Sequence, residues 1–196
     1  MILYRALSIT IILILNLSCG NIANSNLKNE SNLVKNQNSQ ILNNAQTDLL
    51  QSQQIPKDLL ITIERTGCNG SCPVYNLRIK ADGSVSFEGI KYTETKGKAE
   101  GKISEDKIRQ ILKEFANANY FSLKDKYDGD NCPQTAKDHP TVITSIQIGN
   151  KTKTVNHNRG CEENSAQPIS FPPKLTEMEN KIDEIVETKR WIEVSK

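Results

Sequence analysis

After residue 58 the chain alternates apolar and polar side chains in several short segments. Such alternation is typical of strands that pack one face on a core and turn the other face outwards. Glycine, asparagine and proline separate the segments, so the pattern predicts consecutive strands joined by turns. The apolar faces of the first three strands are predicted to contain Leu59, Ile61 and Ile63, then Tyr75, Leu77 and Ile79, then Val85 and Phe87.

The turn between the second and third strands can be assigned from the same pattern. A two-residue loop would set Ile79 opposite Ser86, which would turn the two apolar faces to opposite sides of the sheet. A three-residue loop sets Ile79 beside Val85 and keeps the apolar faces together. We therefore predict a three-residue loop that ends on Gly83 in the left-handed conformation.

Two helices are predicted, one in the middle and one at the end of the chain. The first begins after Ser104, which can cap its N-terminus, and Ile103 is placed to contact Ile108. The second begins near Pro173, because proline is tolerated in a first helical turn. Their apolar stripes are Ile108, Ile111, Leu112 and Phe115 in the first helix and Leu175, Met178, Ile182, Ile185 and Val186 in the second, with Trp191 and Ile192 beyond it.

A second hairpin is predicted between the helices. Apolar residues alternate over 142–148, and Gly149-Asn150 suits a two-residue type II′ turn. This register places Lys151 and Lys153 on the apolar side, which is favourable if the second strand is a sheet edge with its ammonium groups in water.

The order of these elements predicts an α+β domain over residues 57–196. We expect an antiparallel sheet of about five or six strands with two helices packed on one face. The charged, threonine-rich residues 90–102 leave two alternatives, an extended arm or a fourth strand.

The N-terminus has a different character. Residues 1–15 hold one cation, Arg5, and an apolar run too short to cross the roughly 30 Å core of a bilayer, which predicts an export signal. The sequence around Cys19 resembles the lipobox of bacterial lipoproteins, although Asn16 stands where leucine is usual. The resemblance implies a signal peptide over 1–18, a lipid on Cys19, and a periplasmic or cell-surface location on a membrane, the outer membrane where one exists. The alternative is cleavage near Cys19 without a lipid.

Residues 19–55 are rich in Asn, Gln and Ser and contain no aromatic residue. Such a composition buries too little apolar surface to offset the cost of ordering the backbone, about 1 to 2 kcal/mol per residue. We predict a disordered tether, with a weak helix around residues 41–50 as the alternative.

Five cysteines in an exported chain leave one without a partner, and a lipid on Cys19 would account for it. The other four can form two disulfides in an oxidising compartment, and three pairings are possible. Chain order favours Cys68 with Cys72, and Cys132 with Cys161, because the second pair flanks the open end of the second hairpin.

Few residues suggest a redox, metal-binding or other functional site. Cys68 and Cys72 are spaced C-x-x-x-C in a turn between strands, unlike the C-x-x-C of thioredoxin-like sites, so we expect a structural disulfide. The chain has two histidines without zinc-site spacing, so no metal and no cofactor are expected. The net charge of +2 does not favour nucleic acid as a partner. The long loop 124–140 is the candidate binding loop and contains Asp138 and His139.

Residues 68–75, CNGSCPVY, resemble a C-x-G-x-C-P-x-Y signature found in a family of exported bacterial proteins that is known only as a domain of unknown function. The likeness continues at Asp82-Gly83, at Tyr120-Phe121, at residues 138–141 and at Trp191-Ile192. Because no activity is assigned to that family, the resemblance implies export and the limits of a domain, not a reaction.

Together these features favour a non-catalytic binding or envelope-associated module, held at a membrane by its lipid, with an envelope protein as its partner. The alternative is an envelope enzyme, thiol-redox or hydrolytic, whose site leaves no local motif. The sequence does not indicate an oligomeric state.

Overall fold

The helices and strands of the computed structural model follow the predicted order. The structure describes residues 54–129, 132, 134–135, 138–162 and 173–193. The predicted signal peptide, Cys19 and the tether up to residue 53 lie outside these residues. The strands are β1 (Leu60–Arg65), β2 (Val74–Lys80), β3 (Ser84–Lys91), β4 (Gly97–Lys102), β5 (Lys126–Tyr127), β6 (Gln134–Thr135), β7 (Thr141–Ile148), β8 (Lys151–Asn158) and β9 (Cys161–Glu162). The helices are α1 (Glu105–Asn117), α2 (Pro173–Val186) and α3 (Lys189–Ile192), with a 3-10 turn at Tyr120–Ser122.

The main sheet has seven strands in the order β4-β3-β2-β1-β7-β8-β5, so the prediction of five or six strands is wrong. The additional strand is β5, two residues from the loop that was predicted to have no regular structure. β5 runs parallel to β8, whereas the other neighbours in the sheet are antiparallel. β6 and β9 form a separate two-stranded sheet.

Both predicted hairpin registers are confirmed. Ile79 pairs with Val85 across the first hairpin, and Gly83 is left-handed with a φ of 83°. A side chain at Gly83 would also run into the carbonyl oxygen of Ile103, so two features of this turn require glycine. In the second hairpin Ile148 pairs with Lys151 across the predicted two-residue turn.

Among the described residues, β5 lies beside only Asn156 and His157 of β8, so the part of β8 that carries Lys151 and Lys153 is an edge of the sheet. Lys153 nevertheless does not leave its ammonium group in water. It donates to the carbonyl of Leu123 and pairs with the carboxylate of Asp125, and its side chain is 16% exposed. The segment that enters β5 therefore compensates a lysine on the apolar side of β8.

One face of the sheet carries the core, and the predicted apolar faces of the strands are buried on it. The stripe of α1 is buried in the same cluster, and Ser104 caps that helix by accepting from the N–H of Lys107. The stripe of α2 is also buried there, although Ile185 is only partly buried. Among the described residues, no helix is long and apolar enough to cross a membrane.

Residues 97–102 form a strand, which decides between the two alternatives for this segment. The chain between β3 and β4 is fixed by α3, since Thr95 donates to the carbonyl of Trp191 at 2.9 Å. The indole of Trp191 stacks on Phe87 with ring centroids 4.9 Å apart. The end of the described chain thus covers the β3–β4 side of the core.

Candidate functional site

One end of the main sheet brings together two segments that lie far apart in the sequence. We call it the loop end and define it as residues 66–73 and 138–141. The N–H of Asn69 donates to the carbonyl of Asp138 at 3.3 Å. Thr66 and Thr141 bond each other twice: Thr66 N–H donates to the Thr141 carbonyl at 3.0 Å, and Thr141 N–H donates to the Thr66 hydroxyl at 2.8 Å. The signature cysteines and the candidate residues Asp138 and His139 therefore belong to one surface.

The cysteines are bonded in two pairs, Cys68 with Cys72 and Cys132 with Cys161, with Cα atoms 5.7 and 5.5 Å apart. The first pair closes the β1–β2 loop and is partly exposed, while the second is buried beside the small β6–β9 sheet. The first pair lies between two strands and not at a helix N-terminus, where a helix dipole would favour a thiolate. This location suits a structural staple.

Asp138 and His139 are both exposed. Asp138 has a φ of 69°, a left-handed conformation that few non-glycine residues adopt, although aspartate is among those that tolerate it. Its main-chain oxygen is engaged by Asn69, so the backbone is held while the two side chains face solvent. Within the described residues no group of three or more His, Cys, Asp or Glu could hold a metal ion. The geometry suits polar contacts with a partner surface.

Beneath the loop end, Asp183 of α2 joins β1 and β2. Arg65 donates to its carboxylate from Nε at 2.7 Å, and the hydroxyl of Tyr75 donates to the other oxygen at 2.7 Å. Tyr75 is the last residue of the sequence CNGSCPVY, and its ring is buried. Burial is the largest effect that raises the pKa of Tyr75, and the charge of the Asp183 carboxylate is the second. For Arg65, burial is the largest single influence and lowers the pKa, but the charges of Asp183, Tyr75 and Glu179 and the hydrogen bond to Asp183 together outweigh it, so the pKa is raised. Both effects keep the arginine charged and the phenol neutral.

A second acid, the fully buried Glu179, lies one turn earlier on α2. Its carboxylate is 2.9 and 3.0 Å from Nδ1 of His157 and accepts from Arg159 at 3.0 Å. Glu179 is 0% exposed and His157 is 1% exposed. Arg65 also donates to the main-chain carbonyl of Glu179 at 3.0 Å, which links the two acids into one network. His157, a residue of β8, therefore lies fully inside the domain.

The sequence analysis missed both acids of this network. A glutamate and an aspartate four residues apart on an amphipathic helix resemble part of its solvent face. The available signal was their position, because Glu179 directly follows the buried Met178 and Asp183 directly follows the buried Ile182. Their arginine partners are distant in the sequence, since Arg65 lies 118 residues from Asp183 and Arg159 lies 20 residues from Glu179.

The face of the sheet opposite the helices is polar and open. It forms a concavity of about 580 Å³ across β1 to β4, whose charged lining residues include Glu64, Arg78, Glu88 and Glu100. Acids and bases are mixed there. It is separate from Asp138 and His139, which do not line it.

Residues 59–186, about two thirds of the chain, match the family described as Domain of unknown function (DUF6438). The chain belongs to this family. The DUF6438 match includes the whole loop end and both acids of α2, whereas Trp191 lies beyond it. No curated protein matches the chain. The DUF6438 assignment therefore gives the domain a family and leaves its function to be argued from the site.

Replacing Tyr75 with phenylalanine is expected to lower the free energy of unfolding by about 1.5 to 3 kcal/mol at neutral pH, because a hydrogen bond to a charged carboxylate is lost. The raised pKa of Tyr75 in the folded protein adds a pH dependence, since an unfolded tyrosine ionises near pH 10. This contribution to stability is complete below about pH 10 and is lost as the pH rises towards the folded pKa. The phenylalanine variant has no ionisable group at this position, so the difference in the free energy of unfolding between the two proteins should narrow above about pH 10.

Urea unfolding of both proteins at a series of pH values measures the gap directly. Tyr92→Phe is the matched control, because Tyr92 is 44% exposed and should change the free energy of unfolding little. A gap between wild type and Tyr75→Phe that widens in alkali would contradict the prediction.

Proposed function

We propose that this protein is an exported lipoprotein whose DUF6438 domain is a non-catalytic binding module of the cell envelope, and that it binds a partner protein at the loop end. In this proposal residues 1–18 are a signal peptide, Cys19 carries the lipid, and residues 19–55 are a tether that holds the domain of residues 57–196 away from the membrane. The support for export is the apolar N-terminus, the lipobox-like sequence and the use of cysteine.

The observation that carries the binding site is the meeting of two separate segments at the loop end. The signature loop and residues 138–141 are both part of the family resemblance, and main-chain hydrogen bonds join them at Asn69 and Thr66. A disulfide closes one segment, and the network around Asp183 supports it from below. Rigid backbone with exposed polar side chains loses little conformational entropy on binding, which favours recognition of a partner surface.

The binding site can be tested by site-specific photo-crosslinking of the full chain in its native envelope. A photo-reactive residue at position 139 should give a discrete adduct with a partner protein, whereas one at Glu177, an exposed position on α2, should not. The triple variant Asn69→Ala, Asp138→Asn, His139→Ala is expected to lose that partner in a pull-down.

The matched control is Lys113→Ala, Lys174→Ala, Glu177→Ala, three exposed substitutions on the helices, which should capture the partner like the wild type. Asparagine at position 138 is chosen because it tolerates the left-handed backbone. Equal capture by the loop-end variant and the wild type would reject the loop end as the site. The alternative function, an envelope enzyme, predicts instead that a substrate is consumed by the wild-type protein and not by the loop-end variant.

The anchor is tested separately. Cells fed a fatty-acid analogue should label the wild type and leave Cys19→Ser unlabelled, and only the wild type should sediment with membranes. A labelled Cys19→Ser variant, or a wild type with its first 18 residues intact, would overturn the proposed anchor.

A further inference from the structure

One edge of the main sheet is formed by β4, whose residues are exposed or partly exposed along its whole length. The other edge is β5, which covers only two residues of β8. An exposed edge strand presents main-chain N–H and C=O groups that can pair with another strand. The hydrogen bonds of β4 decide which of its groups are available.

The pairing of β3 with β4 shows which main-chain groups of β4 point outwards. Ile103 N–H donates to the Gly83 carbonyl at 2.9 Å, so these opposite residues form a hydrogen-bonded pair. Pairs in an antiparallel ladder alternate between bonded and non-bonded. The bonded pairs are therefore those of Gly97, Ala99 and Gly101 with β3, and the main-chain groups of Lys98, Glu100 and Lys102 point to the free edge.

The two faces of β4 are chemically distinct. Its helix side carries only Gly97, Ala99 and Gly101, and a side chain at Gly101 would come within 3.1 Å of the Trp191 ring. Its open side carries Lys98, Glu100 and Lys102, in the order cation, anion, cation. The Glu100 carboxylate is oriented by the hydroxyl of Ser86, which donates to it at 2.9 Å.

We propose that the β4 edge pairs antiparallel with the β4 edge of a second copy of this chain, about a twofold axis at Ala99. In this register Lys98 of one copy is opposite Glu100 of the other, and the contact occurs twice by symmetry. Both residues have outward-pointing main-chain groups, so each opposite pair can exchange two hydrogen bonds. The two seven-stranded sheets become one continuous sheet.

Charge selects this register among the neighbouring ones. An axis at Glu100 would place the two Glu100 carboxylates opposite each other and Lys98 opposite Lys102, and like charges directly opposite are destabilising. An axis at Gly101 would place Glu100 opposite Lys102, but only three residues of each strand would overlap, since α1 begins at Glu105. The axis at Ala99 combines opposite charges with the longest overlap. On the helix side, Arg190 and Trp191 of the same chain cover Gly101, whereas no atom lies within 4 Å of the Cβ position at Gly97.

Charge reversal provides the test, because the substituted residues are exposed and the fold does not depend on them. Sedimentation velocity of the full chain in detergent should show a dimer that dissociates on dilution. Lys98→Glu and Glu100→Lys should each weaken it by about tenfold or more, because two attractive contacts become repulsive. An equimolar mixture of the two variants should restore the wild-type affinity, since every Glu then faces a Lys. The double variant Lys98→Glu, Glu100→Lys should restore it within one chain.

Hydrogen exchange gives a second readout that needs no variant. The amides of Lys98 and Glu100 should exchange fast at low protein concentration and slowly at high concentration, whereas those of Ala99 and Gly101 should be protected at both. A chain that stays monomeric up to about 1 mM, or a dimer unaffected by both charge reversals, would overturn the proposal. Loss of the dimer in Lys102→Glu but not in Lys98→Glu would overturn the axis at Ala99.

Discussion

Replacing Glu179 with alanine is expected to lower the free energy of unfolding by about 3 to 5 kcal/mol, because the substitution removes the buried carboxylate that both His157 and the guanidinium of Arg159 contact. Glu179 is fully buried and is the acid that both His157 and Arg159 contact. Its removal also opens space beside His157, which is itself 1% exposed. Both effects act on the folded state.

Urea or thermal unfolding of the full chain measures the loss. Glu177→Ala is the matched control, since this glutamate is two residues away on the same helix and exposed, and its replacement should change the free energy of unfolding by less than about 0.5 kcal/mol. Glu179→Gln should fall between the two, because it keeps the shape of the side chain and one acceptor oxygen but loses the charge and the second acceptor. A Glu179→Ala variant within about 1 kcal/mol of the wild type would show that the network around Glu179 contributes little to stability.

Removing the disulfide between Cys132 and Cys161 is expected to cost about 3 to 4 kcal/mol, and removing the one between Cys68 and Cys72 about 2 kcal/mol. The difference arises from loop length, because the Cys132–Cys161 bridge closes a separation of 29 residues and the Cys68–Cys72 bridge a separation of 4. A longer closed loop removes more conformational freedom from the unfolded chain.

The double variants Cys132→Ala, Cys161→Ala and Cys68→Ala, Cys72→Ala allow the comparison in the same chain. Alanine avoids placing a new polar group at Cys161, which is 3% exposed. Equal losses, or a larger loss from the short bridge, would contradict the ranking by loop length. Mass spectrometry of the purified wild type should find all four of these thiols oxidised.

Local pairing explains which parts of the fold could be predicted from the sequence. The register of the β2–β3 hairpin follows from the apolar pattern and one glycine, and the turn at Gly149 follows from two adjacent residues. Strand β5 has only two residues, too few to show any periodicity, and its parallel pairing with β8 depends on a return of the chain from α1. The sheet therefore has a strand that the pattern could not reveal.

The candidate site also combines features that the sequence predicts with contacts that only the fold determines. The two cysteine pairs agree with the order of the strands, and Asp138 and His139 were selected because their loop is long. The contact between Asn69 and Asp138 joins a residue that follows β1 to one that precedes β7, at the same end of the β1–β7 pairing, and no local pattern specifies it. The Tyr75–Asp183 bond also depends on where α2 lies on the sheet.

The position of Glu179 and Asp183 on α2, which follows every strand of the main sheet, constrains how the domain matures. Arg65 and Arg159 are synthesised before the acids that neutralise them, so a chain that ends before residue 173 contains the strands but not their counter-ions. Such a truncated chain must keep these cations hydrated and cannot close its core around them. Synthesis of α2 therefore acts as a checkpoint, because the domain reaches its compact state only after this helix has been made.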